Sequence, residues 1–100
     1  MKKTNDALKI INKMMKADPE LQEIVRESSL NAQVSQIIYD ARKQAGLTQQ
    51  QLADLVGTTQ SVIARLEDAD YEGHSLSMLA RIAAALNQKI EIKMSPMQIL

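Results

Sequence analysis

Apolar residues recur every three or four positions along most of the chain, and every second position only near its end. The first spacing predicts amphipathic helices and the second a strand. The clearest stretch is residues 47–68, LTQQQLADLVGTTQSVIARLED. Thr48 offers a hydroxyl N-cap to a helix over residues 49–56, and Gly57 supplies the left-handed residue that ends it. Thr58 bridges a tight turn, and Thr59 caps a second helix running to about residue 67. Leu52, Ala53, Val56, Ile63 and Leu66 then fall where the two helices face each other, with small Ala53 at their crossing. The opposite face of the second helix carries Thr59, Gln60, Ser61, Ala64 and Arg65. These side chains are short or able to hydrogen-bond, as a groove-reading helix requires. The pattern is a helix-turn-helix.

Upstream, residues 1–17 read as a short helix capped by Asp6, with Leu8, Ile11 and Met15 forming a stripe that Ile10 and Met14 broaden. Two readings of that stripe are open: it packs on the rest of the domain, or it docks a partner protein. Asp18-Pro19 marks a break and restart, with Asp as cap and Pro at the first helical position. The stripe steps out of phase near Leu30, so residues 19–45 form either one long helix or two, with Asn31 capping the second. In both cases Val34, Ile37, Ile38, Ala41 and Ala45 are expected to share a face that closes over the motif, and Gly46 ends the helix.

Downstream, residues 68–74 form an acidic loop, expected to be solvated with Tyr71 packed inward. Its three carboxylates and His74 match neither a calcium-loop nor a zinc-ligand spacing, so no metal is expected. Ser75 or Ser77 caps a further helix whose Leu76, Leu79, Ile82, Ala83 and Leu86 are expected to complete the bundle, with Asn87 at its end. The KIEIKM segment then puts Ile90, Ile92 and Met94 on one side and Lys89, Glu91 and Lys93 on the other. A single strand in a helical chain has no internal partner, and an unpaired strand edge is a liability. Either it pairs with the same strand of a second copy, or it lies along its own domain. In an antiparallel pairing, a two-fold axis at Ile90 or Ile92 sets Glu91 against Lys89 or Lys93, whereas an axis at Glu91 opposes like charges.

Composition narrows the function. The 100 residues contain no Cys, Trp or Phe, so aliphatic and Met packing must hold one small domain together. Missing cysteines fit a reducing compartment, and Asn12, Lys13 and Lys16 interrupt any apolar run behind Lys2 and Lys3; a cytoplasmic chain is expected. Catalysis is not expected, because His74 is the only histidine and no Gly-rich phosphate loop or evident acid pair is present. No cofactor is implied. Net charge is zero, and from residue 31 onward six basic residues stand against seven acidic ones. Phosphate contacts supply most non-specific DNA affinity, so one copy is expected to bind DNA weakly and to need a second.

The segments DARKQAGLTQ, QLADLVGTTQSVIARLE and SLSMLARIAAAL resemble the lambda-repressor-like (Xre or Cro type) helix-turn-helix family. The resemblance implies an all-α fold, a lambda-repressor-like helical bundle with an N-terminal helical extension over residues 1–30. The helix-turn-helix DNA-binding domain spans 31–88, and a short C-terminal β-strand and tail span 89–100. It implies a phosphate contact from Gln49, base contacts from Gln60, Ser61 and Arg65, and Thr59 at the groove edge. Ala64 touches a thymine methyl or permits close approach. Arg42 resembles the family's first-helix arginine that pairs with the glutamate ending the recognition helix, here Glu67. The whole chain is similar to HigA-like antitoxins, TTQSVIARLEDADYEGHSLSML being characteristic of them. That similarity implies a homodimer, joined through Ile90, Glu91 and Ile92, that represses its own operon from a palindromic operator in double-stranded DNA. It also implies a RelE-like toxin as partner, although Xre-type regulators without a toxin exist and would use the extension structurally.

Overall fold

The computed structural model describes residues 18–97 as four helices joined by short connections. The stripe expected over residues 1–17 lies outside the described residues. Helix α1 runs unbroken over Pro19–Gln44, passing through Leu30 and Asn31 without a cap. Its start follows from local chemistry. Asp18 accepts hydrogen bonds from the Glu20 and Leu21 amides, and Pro19 lacks the amide hydrogen that the first turn could not use. Its end is set by Ala45 and by Gly46 at φ +72°, a left-handed conformation that Gly adopts without strain.

Helices α2 (Gln49–Val56), α3 (Gln60–Leu66) and α4 (Leu76–Ala85) follow. Each begins at a hydroxyl cap: Thr48 for α2, Thr59 for α3 and Ser75 for α4. At Thr48 the cap is reciprocal, because the Thr48 amide in turn donates to the Gln51 side-chain oxygen. Asn87, at φ +57°, turns the chain away after α4.

The core gathers where α1, α2, α3 and α4 meet: Ile38, Leu52, Ala53, Val56, Ile63, Leu66 and Ile82 are buried as one cluster. Ala53 is fully covered, so α2 and α3 pack closely at its position. Three expected core positions are exposed instead: Ala45, which caps the end of α1, and two large side chains. Ile37 is 62% exposed and Leu76 66% exposed. On α1 the buried positions are Ser35, Ile38 and Arg42, at steps of three and four residues. Ile37 lies about 100° around the helix from Ile38, away from that line. Leu76 opens α4 one turn before the part that reaches the core. Apolarity marked both residues as core; the axis along which the helices pack excludes them.

Among the described residues there is no strand, and residues 88–97 are exposed and irregular. A strand is completed by hydrogen bonds to a neighbour, and none of the described residues forms a ladder with the segment. Lys89 Nζ and Glu91 Oε1, two residues apart, form an exposed ion pair at 3.3 Å.

Candidate nucleic-acid interface

The turn between α2 and α3 is built from backbone. Gly57, at φ +84°, and Thr58 both donate their amides to the Ala53 carbonyl at 2.9 Å. Arg81 reaches across from α4 and donates to the Val56 carbonyl at 2.9 Å, neutralising an end of α2 that has no basic residue of its own. These contacts set where α3 begins. With Ile63 and Leu66 buried, Gln60, Ser61, Ala64 and Arg65 occupy the other side, across about 140° of arc. Gln60, Ser61 and Arg65 are exposed, Ala64 is half-buried, and Thr59 is exposed at the N-terminal end.

A chain of hydrogen bonds runs behind that face. Gln60 Nε2 donates to Gln49 Oε1 at 2.6 Å, and Gln49 Nε2 donates to Glu67 Oε1 at 3.1 Å. Glu67 also accepts from Arg42, through Nε at 2.7 Å and Nη2 at 2.9 Å, in a two-pronged pair. The Arg42 and Glu67 side chains are only 8% and 4% exposed. Arg42 Nη1 donates to the Leu47 carbonyl at 2.8 Å, so the pair also ties down the approach to α2. The hydrogen bonds that Arg42 donates to Glu67 outweigh burial and raise the Arg42 pKa above its ordinary value, helped by the charges of Glu67 and Tyr39. The Tyr39 ring lies 5.3 Å from the guanidinium.

Directionality follows along this chain. A carboxylate accepts only, so Gln49 must present its NH2 to Glu67 and its carbonyl oxygen to Gln60. Gln60 in turn must present its NH2 to Gln49, which leaves its carbonyl oxygen and one N–H free. The residues expected on the reading face are therefore brought together. Gln49, expected only as a phosphate contact, has its amide engaged on both sides, between the outward face of α3 and a buried ion pair.

The loop after α3 keeps Tyr71 inward and Asp68, Asp70 and Glu72 exposed, as expected, and departs from expectation at His74. It is not simply solvated, because His74 is half-buried and its Nε2 lies 2.8 Å from the Leu66 carbonyl and 3.2 Å from Ser35 Oγ. Tyr71 is half-buried against the core and meets the His74 ring edge-on, centroids 5.0 Å apart. Gly73 lies beneath the Tyr71 ring, where a Cβ would collide with it. Ser35, His74 and Arg81 were not legible as contributors: a Ser in a helix and an Arg on another carry no spacing signature.

A helix-turn-helix family model matches residues 38–92, more than half of the chain. The chain belongs to the lambda-repressor-like (Xre) helix-turn-helix family. No curated protein gives a match. As a member of this helix-turn-helix family the protein is a DNA-binding transcriptional regulator, and the family is in general non-enzymatic. The matched span contains all of α2, α3 and α4 and the α1 segment that carries Arg42. No helix among the described residues is long and apolar enough to cross a membrane.

Proposed function

We propose that this regulator reads a palindromic operator as a homodimer, with Gln60, Ser61 and Arg65 on base edges and Thr59 on the adjacent backbone. The observation that carries this reading is the hydrogen-bond chain from Arg42 through Glu67 and Gln49 to Gln60. It leaves Gln60 holding out one acceptor and one donor. Adenine offers the complementary pair in the major groove, an N6 donor and an N7 acceptor. Gln60 is thus set for adenine before DNA arrives, and little side-chain entropy is left to lose on binding. Arg65 suits guanine, and Ala64 leaves room for a thymine methyl. Gln49 keeps one amide hydrogen for a phosphate oxygen in addition to orienting Gln60.

Two copies are needed because the charge balance gives a single copy little non-specific affinity. Residues 89–94 supply the join in this reading: Ile90, Glu91 and Ile92 pair with their counterparts in a second copy, with Glu91 opposite Lys89 or Lys93. Ile92 is 70% exposed and Met94 94% exposed, which supports an apolar edge that finds cover elsewhere. The regulated genes in this reading include the protein's own operon. A toxin-binding role is supported by a different feature. Residues 23–30 of α1 are exposed all round, and Ile24 and Leu30 are among them. A protein partner of the RelE-like toxin type would cover that half-helix.

Selection of bound duplexes from a random pool, repeated across a salt series, tests the DNA reading. Palindromic sites with half-site centres about 34 Å apart are expected. Recovery of single, unpaired half-sites would refute the dimeric operator. Co-purification with the product of an adjacent reading frame, lost on deleting residues 1–30 while operator binding persists, tests the toxin role.

A further inference from the structure

We propose that Ser35 and His74 are positioning residues that set the angle at which α3 is presented to DNA. This rests on the reading that Gln60 and Arg65 contact bases. Helix α3 has only seven residues, so its direction depends on what holds its two ends. The N-terminal end is fixed by the Gly57 turn and by Gln60's bond to Gln49. At the other end, three consecutive residues are each gripped by a different group. His74 holds the Leu66 carbonyl, Arg42 holds the Glu67 carboxylate, and Ser35 Oγ donates to the Asp68 carbonyl at 2.7 Å. Ser35 and Arg42 are seven residues apart on α1, two turns along one face, so a single rigid helix supplies two of the three grips.

The proton positions are determined by the partners. A carbonyl only accepts, so His74 must carry its hydrogen on Nε2 to bond Leu66 at 2.8 Å. Ser35 spends its one hydrogen on Asp68 and so accepts a weaker share of the same Nε2–H at 3.2 Å. His74 Nδ1 is buried and has no hydrogen-bond partner among the described residues, so the ring's contribution runs through Nε2 alone. The edge-on Tyr71 ring holds the imidazole in that orientation.

Geometry shows why this end matters. Gln60 and Arg65 are separated by about 7.5 Å of helix rise, so a ~10° tilt about the N-terminal end displaces Arg65 by about 1.3 Å. Hydrogen bonds span only a few tenths of an ångström between good and poor. Gln60, beside the pivot and tethered to Gln49, barely moves. Loosening the latch therefore selectively damages the base preference of Arg65.

The test uses the full chain and duplexes selected by the unaltered protein, with single-base variants at the positions whose preference Arg65→Ala and Gln60→Ala abolish. Ser35→Ala and His74→Asn are expected to lower discrimination at the Arg65 position by roughly 3–10-fold, the equivalent of one lost hydrogen bond. Discrimination at the Gln60 position is retained. Non-specific binding changes by less than about twofold, because phosphate contacts carry it. His74→Gln, whose amide nitrogen takes the place of Nε2, restores discrimination; Asn, which reaches only the Nδ1 position, does not. Circular dichroism below the melting temperature establishes that each variant is folded. If His74→Asn does not fold, Ser35→Ala decides. Unchanged discrimination at both positions, or equal loss at both, overturns the latch while Arg65→Ala still shifts one position. If Arg65→Ala shifts no position, base reading itself fails and the latch falls with it.

Discussion

Replacing Glu67 by Ala should be among the most damaging single changes in this protein. The substitution leaves the Arg42 guanidinium 8% exposed, with the Leu47 carbonyl at 2.8 Å as its remaining hydrogen-bond acceptor. Breaking one side of a buried ion pair costs ~3–5 kcal/mol, because the surviving charge stays buried without its counterion. The pair lies at the edge of a small domain, which puts the expected cost near 3 kcal/mol, a large part of a total stability of ~5–15 kcal/mol. At ~4–8 °C per kcal/mol, the melting temperature falls by about 12–24 °C. Arg42→Met should cost a similar amount, because it strands a carboxylate that is 4% exposed. The double variant Arg42→Met with Glu67→Leu removes both charges and should return to within about 1 kcal/mol of the parent. It should not restore the base preference proposed for Gln60, because Leu cannot accept from Gln49 and the amide orientation is lost. Urea denaturation at fixed protein concentration measures the first effect, and binding to single-base duplex variants the second. Single substitutions costing under about 1 kcal/mol, or a double variant as unstable as the singles, would refute the assignment of a buried, mutually dependent pair. Arg42, its pKa raised chiefly by its hydrogen bonds to Glu67, contributes fully below the ordinary arginine pKa and loses that stability only as pH rises past it.

Arg65→Ala should weaken operator binding by roughly 1–3 kcal/mol and relax preference at one base per half-site; equal weakening of all sequences would make it a phosphate contact instead. Gly57→Ala should cost ~1–2 kcal/mol from the left-handed backbone alone, since an added Cβ meets only Arg81 Nη2 at an ordinary 3.8 Å. Gly73→Ala should act differently, displacing the Tyr71 ring. Loss of the Tyr71–His74 contacts in NMR spectra checks it, and unchanged ring shifts would contradict the packing described. Deleting residues 89–100 should leave the helical content of the bundle intact, because residues 89–97 are all exposed, while sedimentation shows a monomer. A deleted chain that sediments as a dimer would place the join elsewhere.

Local chemistry determined much of this protein. Thr48, Thr59, Ser75, Asp18-Pro19, Gly46 and Gly57 place helix ends, because caps and left-handed residues act within one turn of chain and need no distant partner. The spacing of Leu52, Ala53, Val56, Ile63 and Leu66 likewise specified the packed side of the motif, and with it the outward side that carries Gln60, Ser61 and Arg65. Residues 19–44 were ambiguous because a phase shift near Leu30 reads equally as a break or as one helix leaving the bundle; only the assembled fold shows one helix. Tertiary structure also decided what periodicity cannot express. Ile37 and Leu76 are apolar at helical spacing, yet packing turns them outward. The Arg42–Glu67 pair was legible only through the family resemblance, and Ser35, Gln49, His74 and Arg81 take their roles from directional hydrogen bonds that exist only once α1, α2, α3, α4 and the 68–74 loop are in place. Burial is periodic along a helix and can be read from one chain segment. A polar contact needs both partners positioned to a few tenths of an ångström, and only the folded chain does that.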